Sequence, residues 1–139
     1  MKSFGRALPV PEYICFSERA TNMKKSSPLV EQSVEFSVQI VNYCKWLSSQ
    51  KNEFVMSKQI LKSGTSIGAN IHEANFAVSK ADFITKMQIA LKEASETQYW
   101  LIILEKTGYL PEQFQQLTQN CNSLKCMLIS TLNTVKNRS

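Results

Sequence analysis

An all-α fold, an antiparallel up-down-up-down four-helix bundle, is predicted by three features of this 139-residue sequence. Four successive stretches repeat apolar residues at spacings of three and four, the period of a helix with a buried face. Glycine and proline are scarce, four of each, which disfavours the turn-rich pattern of an all-β domain. The breaks between periodic stretches are only a few residues long, and short connections make consecutive helices antiparallel neighbours. The length suits one domain able to bury a core without disulfide or metal staples.

Residues 1–27 precede the first periodic stretch. The run MKSFGRALPVPEYICFSERA holds two of the four prolines and neither a helical period nor the apolar centre of a signal peptide. It reads as a loose N-terminal extension with Met23 as an alternative start, leaving 28–139 as the bundle. Ser26-Ser27 before Pro28 offers a cap followed by a first-turn proline, which opens a helix over 28–49. Leu29, Phe36, Ile40, Tyr43 and Leu47 fall on one line of it. Val30, Val34, Val38 and Val41 fall on a second, roughly 140° away at about 100° per residue. Two apolar lines call for two partners.

The second helix is expected over 53–78, with Met56, Ile60, Ile67, Ile71, Ala74 and Val78 on its apolar face. Gly64 and Gly68 lie one turn apart along the edge of that face. Each glycine costs an interior helix position about 1 kcal/mol relative to alanine. A neighbouring helix approaching closely along a side-chain-free edge would offset that through packing. Ser79 followed by Asp82 resembles a capping box and starts the third helix, which ends before Gly108. Its main line is Phe83, Met87, Ala90, Ala94 and Leu101, with Ile84, Leu91 and Ile102 on a second. The run YWLIIL near its end is apolar almost all round, and points to burial either in the core or between subunits. Pro111 is expected to open the fourth helix, in which Phe114, Leu117, Cys121, Leu124, Leu128, Thr131 and Val135 form one unbroken seam.

Two segments, SGTSIGANIHEA (63–74) and ALKEASETQYWLIIL (90–104), occur in this order, and together they resemble the four-helix bundle protein family, also called the 23S rRNA-intervening sequence protein family. The resemblance spans residues 28–136. Within the family's Ser-Ile-x-x-Asn-Ile-x-Glu pattern the matching residues are Ser66, Ile67, Asn70, Ile71 and Glu73. It implies a bundle that assembles as a homo-oligomer, typically a pentamer, with no established enzymatic activity. Members were first noticed as reading frames inserted in large-subunit ribosomal RNA genes. A related, strongly basic branch serves diversity-generating retroelements as a nucleic-acid-binding accessory protein.

The chain's own chemistry agrees with a non-enzymatic reading. The one histidine, His72, lacks the partners of a di-metal or zinc-protease site, and it leaves serine and cysteine nucleophiles without their usual base. Cys15, Cys44, Cys121 and Cys126 have no zinc-ligand spacing and fit reduced thiols in a cytoplasmic protein. No run is long enough to cross a membrane. No metal or cofactor is expected. Folding the second and third helices into a hairpin about residue 79 sets Glu96 opposite Lys62 and Glu93 opposite Thr65, which points to a structural ion pair. Ser63, Ser66, Asn70 and Glu73 form a polar ridge beside the apolar face and are expected to hydrogen-bond across helices and fix register. Lys51, Lys58 and Lys62 form a basic line opposite the isoleucines of the second helix. With a formal charge of +5, such a line repeated around an oligomer would offer RNA or DNA a weakly sequence-specific surface. The expected function is thus a homo-oligomeric interaction scaffold that binds itself and a protein partner. The alternative is a nucleic-acid-binding accessory protein.

Overall fold

The computed structural model describes residues 27–138, so the extension up to Ser26, with Met23 and Cys15, lies outside the described residues. Four α-helices follow in order: α1 Pro28–Lys51, α2 Val55–Ala74, α3 Lys80–Lys106 and α4 Gln116–Lys136, with a short 3-10 helix at Glu112–Phe114 before the last. The Ser27 hydroxyl caps α1 by accepting from the Val30 amide at 3.4 Å, with Pro28 in the first turn where its missing N–H is not needed.

Both boundaries of α2 differ from the 53–78 expected. Asn52 takes the left-handed conformation, φ 53°, and ends α1. The Glu53 carboxylate then accepts from the amides of Val55, Met56 and Ser57, at 3.2, 3.2 and 2.9 Å, so it caps α2 from outside rather than joining it. At the other end α2 stops at Ala74, and Val78 is 88% exposed instead of lying on the core face. The cause is the cap of α3. Ser79 accepts from the Asp82 amide at 3.0 Å, and the Asp82 carboxylate accepts from the Val78 amide at 3.2 Å, which commits Val78 to the turn. α3 ends before Gly108, whose φ of 86° suits glycine. Pro111 opens the 3-10 turn, not α4 itself.

The contacts fix the helix directions. From Ser33 to Cys44 along α1, the residues met on α2 fall from Gly68 to Ser57. α3 meets α2 in the same opposed sense, through Glu73 with Lys86 and Ser63 with Thr97. Cys121 with Ala94 and Arg138 with Lys80 run α4 against α3, and Asn120 with Gln39 returns α4 to α1. Consecutive helices are neighbours, and α1 and α3 stand at opposite corners.

The core holds Leu29, Phe36, Ile40, Tyr43 and Leu47 of α1, Ile60, Ile67, Ile71 and Ala74 of α2, Phe83, Met87, Ala90, Ala94 and Leu101 of α3, and Leu117, Cys121, Leu124 and Leu128 of α4. Near the end of α4 the seam shifts. Leu132 is buried where Thr131 was expected, because a straight helix drifts about 20° per heptad against a 3.5 repeat.

Candidate functional site

At the glycine-containing turn α2 lies close against α1. A Cβ built on Gly64 would sit 2.9 Å from Ile40 Cγ1 and 3.0 Å from its Cγ2, inside the 3.5–4.0 Å optimum for carbon pairs. A Cβ on Gly68 would sit 3.2 Å from Ser37 Oγ and 3.3 Å from the Ser33 carbonyl oxygen. Ile67 and Ile71 beside them are fully buried. The polar ridge divides. Thr97 Oγ1, buried on α3, donates to Ser63 Oγ at 2.9 Å, and Lys86 Nζ donates to Glu73 Oε1 at 3.1 Å. Ser66 and Asn70 instead turn onto their own helix, Ser66 Oγ donating to the Lys62 carbonyl at 2.7 Å and Asn70 Nδ2 to the Ser66 carbonyl at 2.9 Å. The motif thus wedges α2 between α1 and α3, with two of its polar groups crossing to α3.

Two expectations need correction. Glu96 accepts from Trp100 Nε1 at 3.2 Å, and the expected Lys62–Glu96 ion pair does not form. The ion pair among the described residues is Lys86–Glu73, too exposed to contribute much. The basic line breaks as well. Lys51 is the last residue of α1, with its ammonium 5.7 Å from the Trp46 ring centroid, while Lys58 and Lys62 are exposed on α2 beyond the Asn52 turn. The three are not one helical face. Lys2, Arg6, Arg19, Lys24 and Lys25 precede the described residues against only Glu12 and Glu18, so most of the positive excess lies outside the bundle.

The buried titratable groups are placed for packing. Burial pushes the Cys121 thiol up to about 12, against the nearby Lys125 charge. Burial likewise pushes Cys44 up to about 11, against its hydrogen bond with Ser57. Burial first, then the charges of Cys44 and Glu53, raises Tyr43. Neutral thiols at physiological pH are poor nucleophiles. Among the described residues no group of histidine, cysteine, aspartate and glutamate could hold a metal ion. His72 is exposed, its ring 6.0 Å from that of Phe76.

The model of the 23S rRNA-intervening sequence protein family matches residues 25–130, across the capped start of α1, the glycine turn and most of α4. The chain belongs to that family. Among solved structures it is similar to a protein of unknown function from the S23 ribosomal protein family of Bacteroides thetaiotaomicron VPI-5482, at 51% identity and a TM-score of 0.73, covering 75% of this chain and 97% of that one. Comparison with curated proteins found no match. Neither the family's description nor that of the solved structure names an enzyme. No helix among the described residues is long and apolar enough to cross a membrane.

In this family member the surface is more informative than the interior. The second line of α1 divides: Val30 packs against the core and Val41 is half-buried, whereas Val34 is 43% and Val38 51% exposed. Of YWLIIL, Leu101 and Leu104 enter the core, but Tyr99 is 56% and Ile102 44% exposed, with Trp100 and Ile103 half-buried. Sequence reading missed the aromatic cluster at the far end of α1, where the rings of Tyr43, Trp46 and Phe114 lie with centroids 4.9–6.3 Å apart. Its signal was there, since Tyr43 and Trp46 are three apart on one helix.

Proposed function

We propose that the protein is a non-enzymatic four-helix scaffold that works as a homo-oligomer. The observation that carries this is the outer valine line of α1, where Val34 and Val38 stand exposed on a helix whose opposite face is already engaged in the core. One isolated surface valine means little, but an ordered line of β-branched residues along a helix is the pattern that a neighbouring helix covers. The resemblance to a family of oligomeric bundles points the same way. Sedimentation equilibrium on the full chain at micromolar concentration tests it: an oligomer that Val38→Glu dissociates is the expected result, and a monomeric wild type overturns it.

Nucleic acid as a partner draws less support, because Lys51 stands apart from Lys58 and Lys62 and most of the excess charge lies before the bundle. Ionic attraction to phosphates grows with the number of cations engaged, and two lysines per chain engage few.

A further inference from the structure

We propose that the cleft between α1 and α4 binds a guanidinium group, with the Glu35 carboxylate as its counter-charge.

The cleft follows from spacing. Gln32, Glu35 and Gln39 recur at intervals of three and four and so share one stripe of α1, as Asn120 and Ser123 share one of α4. Between the two stripes lies a cavity of about 370 Å³ with Phe36 in its floor, a size that suits a small ligand. At one end Asn120 Nδ2 donates to Gln39 Oε1 at 2.8 Å. Because α1 and α4 run opposed, one turn back along α1 to Glu35 is one turn on along α4 to Ser123. Carboxylate and hydroxyl therefore stand at one level, with Gln32 a turn further along. The side chains of Gln32, Glu35 and Ser123 make no hydrogen bond or ion pair among the described residues, which leaves their oxygens free to accept.

Charge selects a cation. None of the residues lining the cleft is basic, in a chain whose formal charge is +5. Glu31, exposed one turn before Glu35, adds a second carboxylate at its mouth. Anions are repelled there and cations drawn in.

Chemistry narrows the cation. A metal ion needs more carboxylate, imidazole or thiolate ligands than the described residues gather anywhere. An ammonium is a compact, strongly hydrated point charge with three donors. A guanidinium is planar and weakly hydrated, so its face suits a floor that includes Phe36. Two of its five N–H groups grip a carboxylate side by side, and others remain for Gln32 Oε1 and Ser123 Oγ. Such a group comes either from a free small molecule or from an arginine of another protein chain. The site is separate from the self-association face, since Glu35 and Gln39 lie about 100° round α1 from Val34 and Val38.

Titrating the full chain, labelled with ¹⁵N, with agmatine and with N-acetyl-argininamide tests this by NMR. Saturable shifts confined to the amides of α1 and α4 around the cleft are expected with at least one of them. The tighter of the two tells a free guanidine from an arginine within a chain. Glu35→Gln, checked for folding by circular dichroism, should weaken binding about tenfold, and Glu31→Gln much less. N-acetyl-citrullinamide, of the same shape without the charge, should not bind. The proposal is overturned by the absence of saturable shifts, by shifts centred elsewhere, by equal binding of the citrulline compound, or by a folded Glu35→Gln variant that binds like wild type.

Discussion

Replacing Gly64 by alanine sets two known effects against each other. Helix propensity favours alanine by about 1 kcal/mol at an interior position. Against it stands Ile40, fully buried and 2.9 Å from the new Cβ, so the isoleucine must retreat by roughly half an ångström to reach an ordinary carbon contact. Forcing an extra methyl into a packed core costs about 1–3 kcal/mol. The net expectation is a loss of about 1 kcal/mol. Gly68→Ala is the internal control, because it gains the same propensity and meets two serine hydroxyls and a carbonyl oxygen at 3.2–3.4 Å, a milder crowding than at Gly64. It should lie close to wild type. Urea denaturation followed by circular dichroism, at fixed protein concentration, measures both. If Gly64→Ala is as stable as Gly68→Ala or more so, close α1–α2 packing is not what these glycines provide.

Other outcomes follow from the interior. Ser63→Ala removes the α2–α3 bond but leaves Thr97 its bond to the Glu93 carbonyl at 2.8 Å, so it should cost about 1 kcal/mol or less. The double variant Ser63→Ala with Thr97→Val should lose less than the two singles added, as a denaturation cycle would show. In the native protein iodoacetamide should modify Cys126, which is exposed, and spare Cys44 and Cys121 until the chain unfolds; peptide mass spectrometry reads this directly. Both buried thiols have folded values above the ordinary 9.0, so the folded state keeps protons that the unfolded chain releases. Their contribution is therefore complete below about pH 9 and lost as the pH climbs toward 12, and denaturation midpoints across that window should fall. Fluorescence anisotropy with labelled RNA or DNA should show little binding at physiological salt. A steep salt dependence abolished by Lys58→Glu and Lys62→Glu would revive the nucleic-acid reading.

The fold was legible where periodicity and capping agreed. Along α1 the line from Leu29 to Leu47 is the buried one, and Ser79 with Asp82 marks the start of α3. Legibility failed at both ends of α2 for local reasons. The apolar spacing continues in phase from Ala74 to Val78, with no glycine or proline to interrupt it, so periodicity alone cannot see that the cap of α3 has claimed Val78. Asn52 carried the opposite signal, since asparagine is among the few residues that accept a left-handed turn. Reading it as a stop would have placed Lys51 in α1 and dissolved the basic line. The polar ridge failed by half, because a serine or asparagine on a helix can satisfy itself on the carbonyl one turn back, as Ser66 and Asn70 do. No spacing rule distinguishes that from a bond across helices.

The Tyr43 hydroxyl, donating to the Tyr109 carbonyl at 2.7 Å across 66 residues of sequence, bears on the order of assembly. The α2–α3 hairpin is made from near neighbours such as Glu73 and Lys86, whereas α1 reaches α4 and its approach only by closing much longer loops. Loop closure makes such distant contacts slow to gain. If the α1–α4 seam forms after the transition state, Tyr43→Phe will leave the folding rate nearly unchanged and quicken unfolding, because late contacts act on the escape rate alone. The tyrosine would then be a latch on the lifetime of the folded chain, with no part in how fast that chain is found.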